Sequence, residues 1–461
     1  MIHATIGQMV KWCSGTVIHG EADQNPTGVS IDSRTIRPGE LFVALQGTGS
    51  DGHLFVEDAM RKGACAALIS SKWADDLDGK EFPSALLMSD DPLIALQEIA
   101  RYYRKLFDIP CVAVTGSNGK TTSKDLIAHV FSEEKSVLST KGNLNNHIGT
   151  PLTLLGLNPN HQMMVVEMGM NRLGEIDRLA HIAAPDMGVI TNVGPVHLEF
   201  LKSVENVYQA KLELADHVER LFVNGDDPVL VQRAKERVSG AITYGFSETC
   251  DVRATDIIPT QDRLGMTFRV EGRGYRLNLP GRHNLYSALT AIAVARLFGY
   301  SPEIIAEGLI KAKITRWRSQ VIRAQGYTLI NDAYNANPAS MANSLGMLCD
   351  FPAQGKRIVL LGDMLELGEK SVQYHRKLGA QIAKNRIDRL IAIGRYASEI
   401  ETGAVENGMR PERIECEESG QAGLDRLSDR MRGLLKRGDV ALIKGSRSMK
   451  LEKIVGKLIE N

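Results

Sequence analysis

The chain has 461 residues, with 55 basic and 55 acidic side chains and therefore no formal net charge. Domains cluster near roughly 100–150 residues, so a chain of this length is expected to hold two to four of them. A hydrophobic share of 43% beside 24% charged residues is that of a folded water-soluble protein. Neutrality argues against a partner held mainly by charge, so no nucleic acid and no acidic membrane surface is expected. Six cysteines stand at least 46 residues apart, which excludes zinc knuckles and points to six buried thiols in a reducing cytosol. Met1-Ile2-His3-Ala4-Thr5 has no basic or apolar leader character, and no apolar run nears the roughly 18 residues that span a bilayer. A cytoplasmic protein without membrane insertion is the expectation.

In chain order, residues 1–85 read as a small domain of strands, turns and helices. Arg37-Pro38-Gly39-Glu40 is a turn, and Leu41 to Leu45 is a short buried strand closed by Gly47, Gly49 and Gly52. Val56 to Lys62 is a helix stopped at Gly63. Pro92 to Phe107 carries Leu93, Leu96, Ile99, Ala100 and Tyr103 at helical spacing. Short apolar runs at Val112–Val114, Ser136–Leu138, Met164–Val166 and Val189–Ile190 then alternate with helical segments, the pattern of a parallel sheet covered on both faces. Alternation from Asp251 to Leu279 predicts an antiparallel extension. A third rhythm has strands at Thr328–Ile330, Ile358–Leu361, Leu390–Ile393 and Val440–Ile443, after a basic polar boundary at Lys313 to Gln320. The fold class is α/β in three domains: a small N-terminal α/β domain (1–85), a central P-loop mononucleotide-binding parallel sheet (86–313) and a C-terminal Rossmann-like α/β domain (314–461).

Val112-Ala113-Val114 runs into Thr115-Gly116-Ser117-Asn118-Gly119-Lys120-Thr121-Thr122 and then a helix with Leu126, Ile127, Val130 and Phe131 on one face. Backbone N–H groups in such a turn converge on phosphate oxygens at a helix N-terminus. Lys120 would meet the β- and γ-phosphates, and the Thr121 hydroxyl would hold Mg²⁺. The spacing departs from G-x-x-x-x-G-K-[ST], because Val114 occupies the first glycine's position. Glu167 ends the next strand, and His197 follows the one after, at the sheet edge where ligands gather. Beside a triphosphate they suit a Mg²⁺ site, whereas His197 alone would read as a structural histidine. Ser203 to Val218 reads as a helix with Lys211 on its apolar stripe. A lysine there must snorkel, lose its charge, pair or be modified; carbamylated by CO₂, it would become an anionic oxygen ligand for a second Mg²⁺.

These pieces together resemble the Mur ligase superfamily, and more narrowly the UDP-N-acetylmuramoyl-tripeptide–D-alanyl-D-alanine ligases, the MurF family. The resemblance runs over nearly the whole chain. It is carried by Asp32-Ser33-Arg34, Leu41 to Leu45, Asp51-Gly52-His53 and the shortened phosphate loop. Gly142-Asn143-Leu144-Asn145-Asn146-His147-Ile148-Gly149, Leu279-Pro280-Gly281-Arg282-His283-Asn284 and Asn331-Asp332-Ala333-Tyr334-Asn335-Ala336-Asn337-Pro338 continue it. Leu361 to Gly368 and Gly445 to Met449 complete it. The Asp-Ala-Tyr-Asn-Ala-Asn-Pro string is the most discriminating; the diamino-acid-adding ligases are similar elsewhere but carry Asp-Asn-Pro-Arg in their third domain, a string absent here.

The resemblance implies ATP-dependent joining of D-alanyl-D-alanine to UDP-N-acetylmuramoyl-tripeptide by a monomer, with ATP and Mg²⁺. It implies a UDP site around Ser33, Arg34, Gly52 and His53, and a catalytic magnesium site at Glu167, His197 and carbamylated Lys211 with Lys120. Asn284 matches an adenine-contacting position and Asp332 a ribose-contacting one. Asn143, Asn145, Asn146, Tyr334, Asn335 and Asn337 match substrate-facing positions. For the ATP-contacting arginine at the third domain's boundary, Arg316 is favoured over Arg318. A sister Mur or folylpolyglutamate-type ligase, and a catalytically silent nucleotide-binding regulator, are the rival readings.

Overall fold

The computed structural model describes residues 2–47, 49–77, 80–313 and 315–460. The N-terminal sheet has five strands in the spatial order Thr16–His19, Ala85–Ser89, Ala66–Ser70, Leu41–Val43, Val29–Ser30, parallel except at the first pair. The central sheet has seven parallel strands: Val252–Arg253, Ile242–Gly245, Arg220–Asn224, Met187–Ile190, Cys111–Thr115, Met163–Glu167 and Val137–Ser139. Its strands Cys111–Thr115, Met163–Glu167 and Met187–Ile190 are buried along their whole length, as their apolar runs require. From Cys111–Thr115 the chain builds outward to one side, then crosses to Met187–Ile190 on the other. A crevice opens at the carboxyl ends where those directions part.

Thr255–Pro259, Met266–Val270 and Arg273–Leu277 form the antiparallel extension, while Val252–Arg253 instead joins the central sheet in parallel. The third sheet runs Gln320–Ala324, Tyr327–Asn331, Val440–Lys444, Arg357–Gly362, Arg389–Ile393, Ile414–Glu417, parallel except at its first pair. Its two outermost strands lie beyond those read from the apolar runs, because an edge strand carries polar residues and loses the run that marks an inner one. The boundary expected at 313/314 falls on Ile314, outside the described residues.

Helix Pro92–Arg104 joins the first two units. Asp91 caps it by accepting the N–H groups of Leu93 and Ile94, with Pro92 in the first turn. It stops short of Phe107 because buried Arg104 donates to the carbonyls of Phe107, Ile109 and Ala183 and turns the chain into the central sheet. The Tyr103 hydroxyl donates to Leu157 O at 2.9 Å and accepts the His3 N–H at 3.2 Å. Helix Val204–Leu212 likewise ends early. It tightens into the 3₁₀ turn Glu213–His217, where the Glu213 carboxylate accepts the N–H groups of Gly174 and Asp177.

All six cysteines are free, but only Cys111 and Cys250 are buried; Cys416 is exposed and the others are half-buried, which corrects the expectation of six buried thiols. Among the described residues no helix is long and apolar enough to cross a membrane.

Helices Ser371–Lys384 and Ala397–Glu406 pack through paired glycines. A Cβ on Gly379 would lie 2.0 Å from Ile400 O, and one on Gly403 2.0 Å from Arg376 O. Gly403→Ala must therefore spread the pair, at a cost of about 2 kcal/mol. A thermal melt should show a lower midpoint for it and no loss for Gly433→Ala, where nothing lies within 4 Å of the added methyl.

Candidate active site

Strand Cys111–Thr115 passes through a tight turn directly into helix Lys120–Phe131. Thr115 anchors the turn by donating its hydroxyl to Met168 O at 2.9 Å. Gly116 has φ +147°, and a Cβ there would sit 1.9 Å from Thr191 Oγ1, so only glycine closes this turn. The loop after strand Met187–Ile190 braces it from the side. Thr191 donates its hydroxyl to Asn118 O at 2.6 Å, and Asn192 accepts the backbone N–H groups of Ser117 and Asn118. Those two amides, expected on phosphate, are thus committed to Asn192. The N–H groups of Lys120, Thr121 and Thr122, in the first helical turn behind Gly119, have no intrahelical partner and form an anion site with the helix dipole. Lys120 Nζ donates to Gly116 O at 2.7 Å; burial lowers its pKa, Glu167 opposes that, and Arg318 adds to it.

Glu167 is 1% exposed. Its Oε1 accepts from Asn145 Nδ2 at 2.7 Å, whereas Oε2 is buried without a protein partner. His197 lies at φ +52° ahead of helix Leu198–Leu201, with Nδ1 2.6 Å from Glu366 Oε2. Lys211, also 1% exposed, does not snorkel. Burial and then neighbouring Lys120 push its amine well below the ordinary lysine value, against the pull of Glu213, Glu175 and Glu167. Glu167, His197 and Lys120 face one cavity of about 390 Å³, but Thr121 and Lys211 are not on its wall. Asn143 and Asn145 line it too. Asn146, which also reaches it, spends its side-chain oxygen on the N–H groups of Ile148 and Gly149.

The third unit supplies the opposite wall. Arg318 donates to Thr121 Oγ1 at 2.8 Å and lies 4.0 Å over the Tyr334 ring, with its Nε buried and unpartnered. Arg316, the favoured arginine, is exposed and away from the cavity. Left-handed Trp317 and Ser319 bracket Arg318 and turn it inward instead. Asp332 accepts from Ser319 N–H, Ser344 Oγ and Lys444 Nζ at 2.8, 2.6 and 2.5 Å. Burial raises its pKa, but Lys444 and these bonds outweigh that and hold it low. A ribose at Asp332 would therefore meet a carboxylate already serving three protein donors. Asn284 donates to Pro280 O at 2.6 Å, and burial pushes adjacent His283 down to about 4, leaving it neutral at pH 7. Asn335 offers its carbonyl to Lys444. Asn337 caps helix Pro338–Asp350 and donates to Asn118 Oδ1 at 2.7 Å, tying this unit to the phosphate loop.

Ser33, Arg34, Gly52 and His53 do not line this cavity. His53 is buried with both ring nitrogens engaged, Nδ1 on Asp51 Oδ1 and Nε2 accepting the Ser70 N–H. Its ring nitrogens are thus both engaged within the N-terminal unit. Gly52 backs onto Leu45, leaving no room for a Cβ. Ser33 is buried and gives its carbonyl to Lys62, while Arg34 is exposed and held by Asp32.

Residues 25–104 match the Mur ligase family catalytic domain, 114–295 the Mur ligase middle domain, and 317–447 the Mur ligase glutamate ligase domain. The UDP-N-acetylmuramoyl-tripeptide–D-alanyl-D-alanine ligase of Bacillus subtilis (strain 168) is 36% identical over 100% of this chain and 99% of its own. The chain belongs to the Mur ligases, in the MurF family. A MurF crystal structure from Acinetobacter baumannii superposes with TM-score 0.87 at 29% identity, covering 99% of each chain. MurF from Thermotoga maritima in complex with ADP gives 0.79 at 27% identity, over 94% of this chain and 96% of that one.

Several site residues of this Mur ligase escape a sequence reading. Asn192 braces the phosphate loop from another strand, and nothing in its own neighbourhood signals that. Lys444 had a signal, a lysine closing the apolar strand Val440–Lys444. Titration with ATP should separate the two arginines. Arg318→Ala is expected to weaken binding by one to two orders of magnitude, as loss of a buried charge-assisted contact costs about 1.5–3 kcal/mol. Arg316→Ala should bind like the parent.

Proposed function

We propose that this chain joins D-alanyl-D-alanine to UDP-N-acetylmuramoyl-tripeptide, converting ATP to ADP and phosphate. The observation that carries the reading is one cavity walled by a phosphate loop on one side and by Arg318, Tyr334, Asn335 and Asn337 on the other. Full-length similarity to ligases named for this reaction supports it.

A carboxylate is a poor acceptor for an amine until its oxygen becomes a leaving group. The tripeptide carboxylate attacks the γ-phosphorus of ATP, the bond to the ADP oxygen breaks, and an acyl phosphate forms. The dipeptide amine then attacks the acyl carbon, and the tetrahedral adduct expels phosphate as the nitrogen loses a proton. Lys120 and the first-turn N–H groups of the helix hold the phosphates, and Arg318 adds positive charge where negative charge builds. Docking of the third unit over the loop keeps water from the acyl phosphate.

The donor set fits a magnesium site, since Glu167 Oε2 is a buried carboxylate oxygen with no protein partner. When bound, Mg²⁺ neutralises charge on the transferring phosphoryl group; Glu167 and His197, which face the cavity, would hold it, joined by Thr121 and a carbamylated Lys211 from behind its wall. Lys211 Nζ, whose pKa burial and then Lys120 lower well below the ordinary lysine value, suits addition to CO₂, which forms an N–C bond, releases one proton and leaves an anionic carbamate. Arg34, the exposed cation of the N-terminal set, is the residue offered to the uridine diphosphate. The chain is proposed to act as a monomer.

Purified protein incubated with ATP, Mg²⁺, UDP-N-acetylmuramoyl-tripeptide and D-Ala-D-Ala should yield a species heavier by one D-Ala-D-Ala residue pair, with equal ADP and phosphate. ATP cleavage that requires a different acceptor or amine would overturn the assignment.

A further inference from the structure

The loop Gly362 to Gly368 of the third unit has no task in the reaction above, yet it is fastened along its length. Asp363 donates its N–H to Met449 Sδ, and its carboxylate accepts the N–H groups of Arg395 and Tyr396. Met364 donates to Nε2 of buried His375, whose Nδ1–H is given to Ser371 O. Leu365 donates to Ser446 Oγ. These bonds present one side chain, Glu366, to the central unit. There its carbonyl accepts the Glu199 N–H at 3.0 Å and its Oε2 lies 2.6 Å from His197 Nδ1.

Both partners sit in left-handed backbone, Glu366 at φ +64° and His197 at φ +52°, a conformation L side chains rarely adopt. Such residues persist where surrounding structure over-determines them, and they gather at functional sites. Stability does not account for the pair, because its side chains are 44% and 22% exposed and ion pairs of that kind contribute little. A carboxylate on one imidazole nitrogen does fix the ring's orientation and tautomer. It makes Nδ1 the protonated nitrogen, and among the described residues Nε2 has no protein hydrogen bond.

We propose that Glu366 is a positioning residue: it sets the His197 ring toward the phosphate site, and does so only while the third unit is docked. Completion of the nucleotide site is thereby coupled to closure over it. The inference rests on the ligase reading for its meaning in turnover, but its test needs neither tripeptide nor dipeptide.

Full-length parent, Glu366→Gln and Glu366→Gly are compared by ATP titration with Mg²⁺, by thermal melting, and by the ¹⁵N spectrum of the His197 ring, assigned with His197→Asn. Glu366→Gly should weaken ATP binding about tenfold or more, as loss of an outer-shell partner does. Its ring should pass from one tautomer to a mixture, while its melting midpoint holds or rises because glycine relieves the left-handed strain. Glu366→Gln, whose amide oxygen still accepts the Nδ1–H, should stay within about threefold of the parent. Unchanged binding with a single tautomer in Glu366→Gly would overturn the proposal. So would a fall in binding that merely tracks a falling midpoint. A parent that binds ATP but ligates nothing would sink the ligase reading and leave this one standing.

Discussion

Lys211 is buried beside Lys120 and Glu167, with Arg318 adding positive charge at Lys120 and with Glu213 and Glu175 pulling the other way at Lys211, and this crowding of charge is the constraint on which the rest of the site depends. Buried cations are costly unless paired or neutralised. The chain as a whole carries no net charge, so this crowding of charge is a property of the site. Two kinds of anion answer it. A triphosphate would meet Lys120 and the open end of helix Lys120–Phe131, and a carbamate on Lys211 would place negative charge where that lysine is buried. Each would make the other more favourable, since a carbamate would supply the negative charge that a divalent metal beside the phosphates requires.

The third unit closes on that charge through a few directional contacts. Arg318 reaches Thr121, Asn337 reaches Asn118, Thr315 reaches Asp125, and Glu366 reaches His197. Three of these four land within the phosphate loop or the first two turns of its helix. The interface and the phosphate loop therefore largely share the same atoms, so closure of the third unit there would finish the site.

What could be read from the sequence was what is contiguous along it. The phosphate loop, its strand and its helix form one segment, and the glycine demanded at 116 is visible in the string. Lys211 stood out because a cation on an apolar stripe is an anomaly whatever surrounds it. Contacts made across the fold were hidden. Arg316 and Arg318 differ by two residues, and only the left-handed backbone at Trp317 and Ser319 decides which points inward. His53 sits in a motif suggestive of substrate, yet Asp51 and the Ser70 amide consume both its nitrogens. Asn192 and Glu366 act on residues 74 and 169 positions away, distances over which sequence carries no local signal, and Lys444, marked only as a lysine closing an apolar strand, acts on Asp332 112 positions away.

The state of Lys211 tests the account most directly. The full-length protein equilibrated with ¹³C-bicarbonate should show a carbamate carbon resonance that is absent from Lys211→Arg, and its signal should strengthen when ATP and Mg²⁺ are added. A spectrum without that resonance, together with a Lys211 amine that titrates as an ordinary cation, would contradict the claim that buried positive charge organises this site.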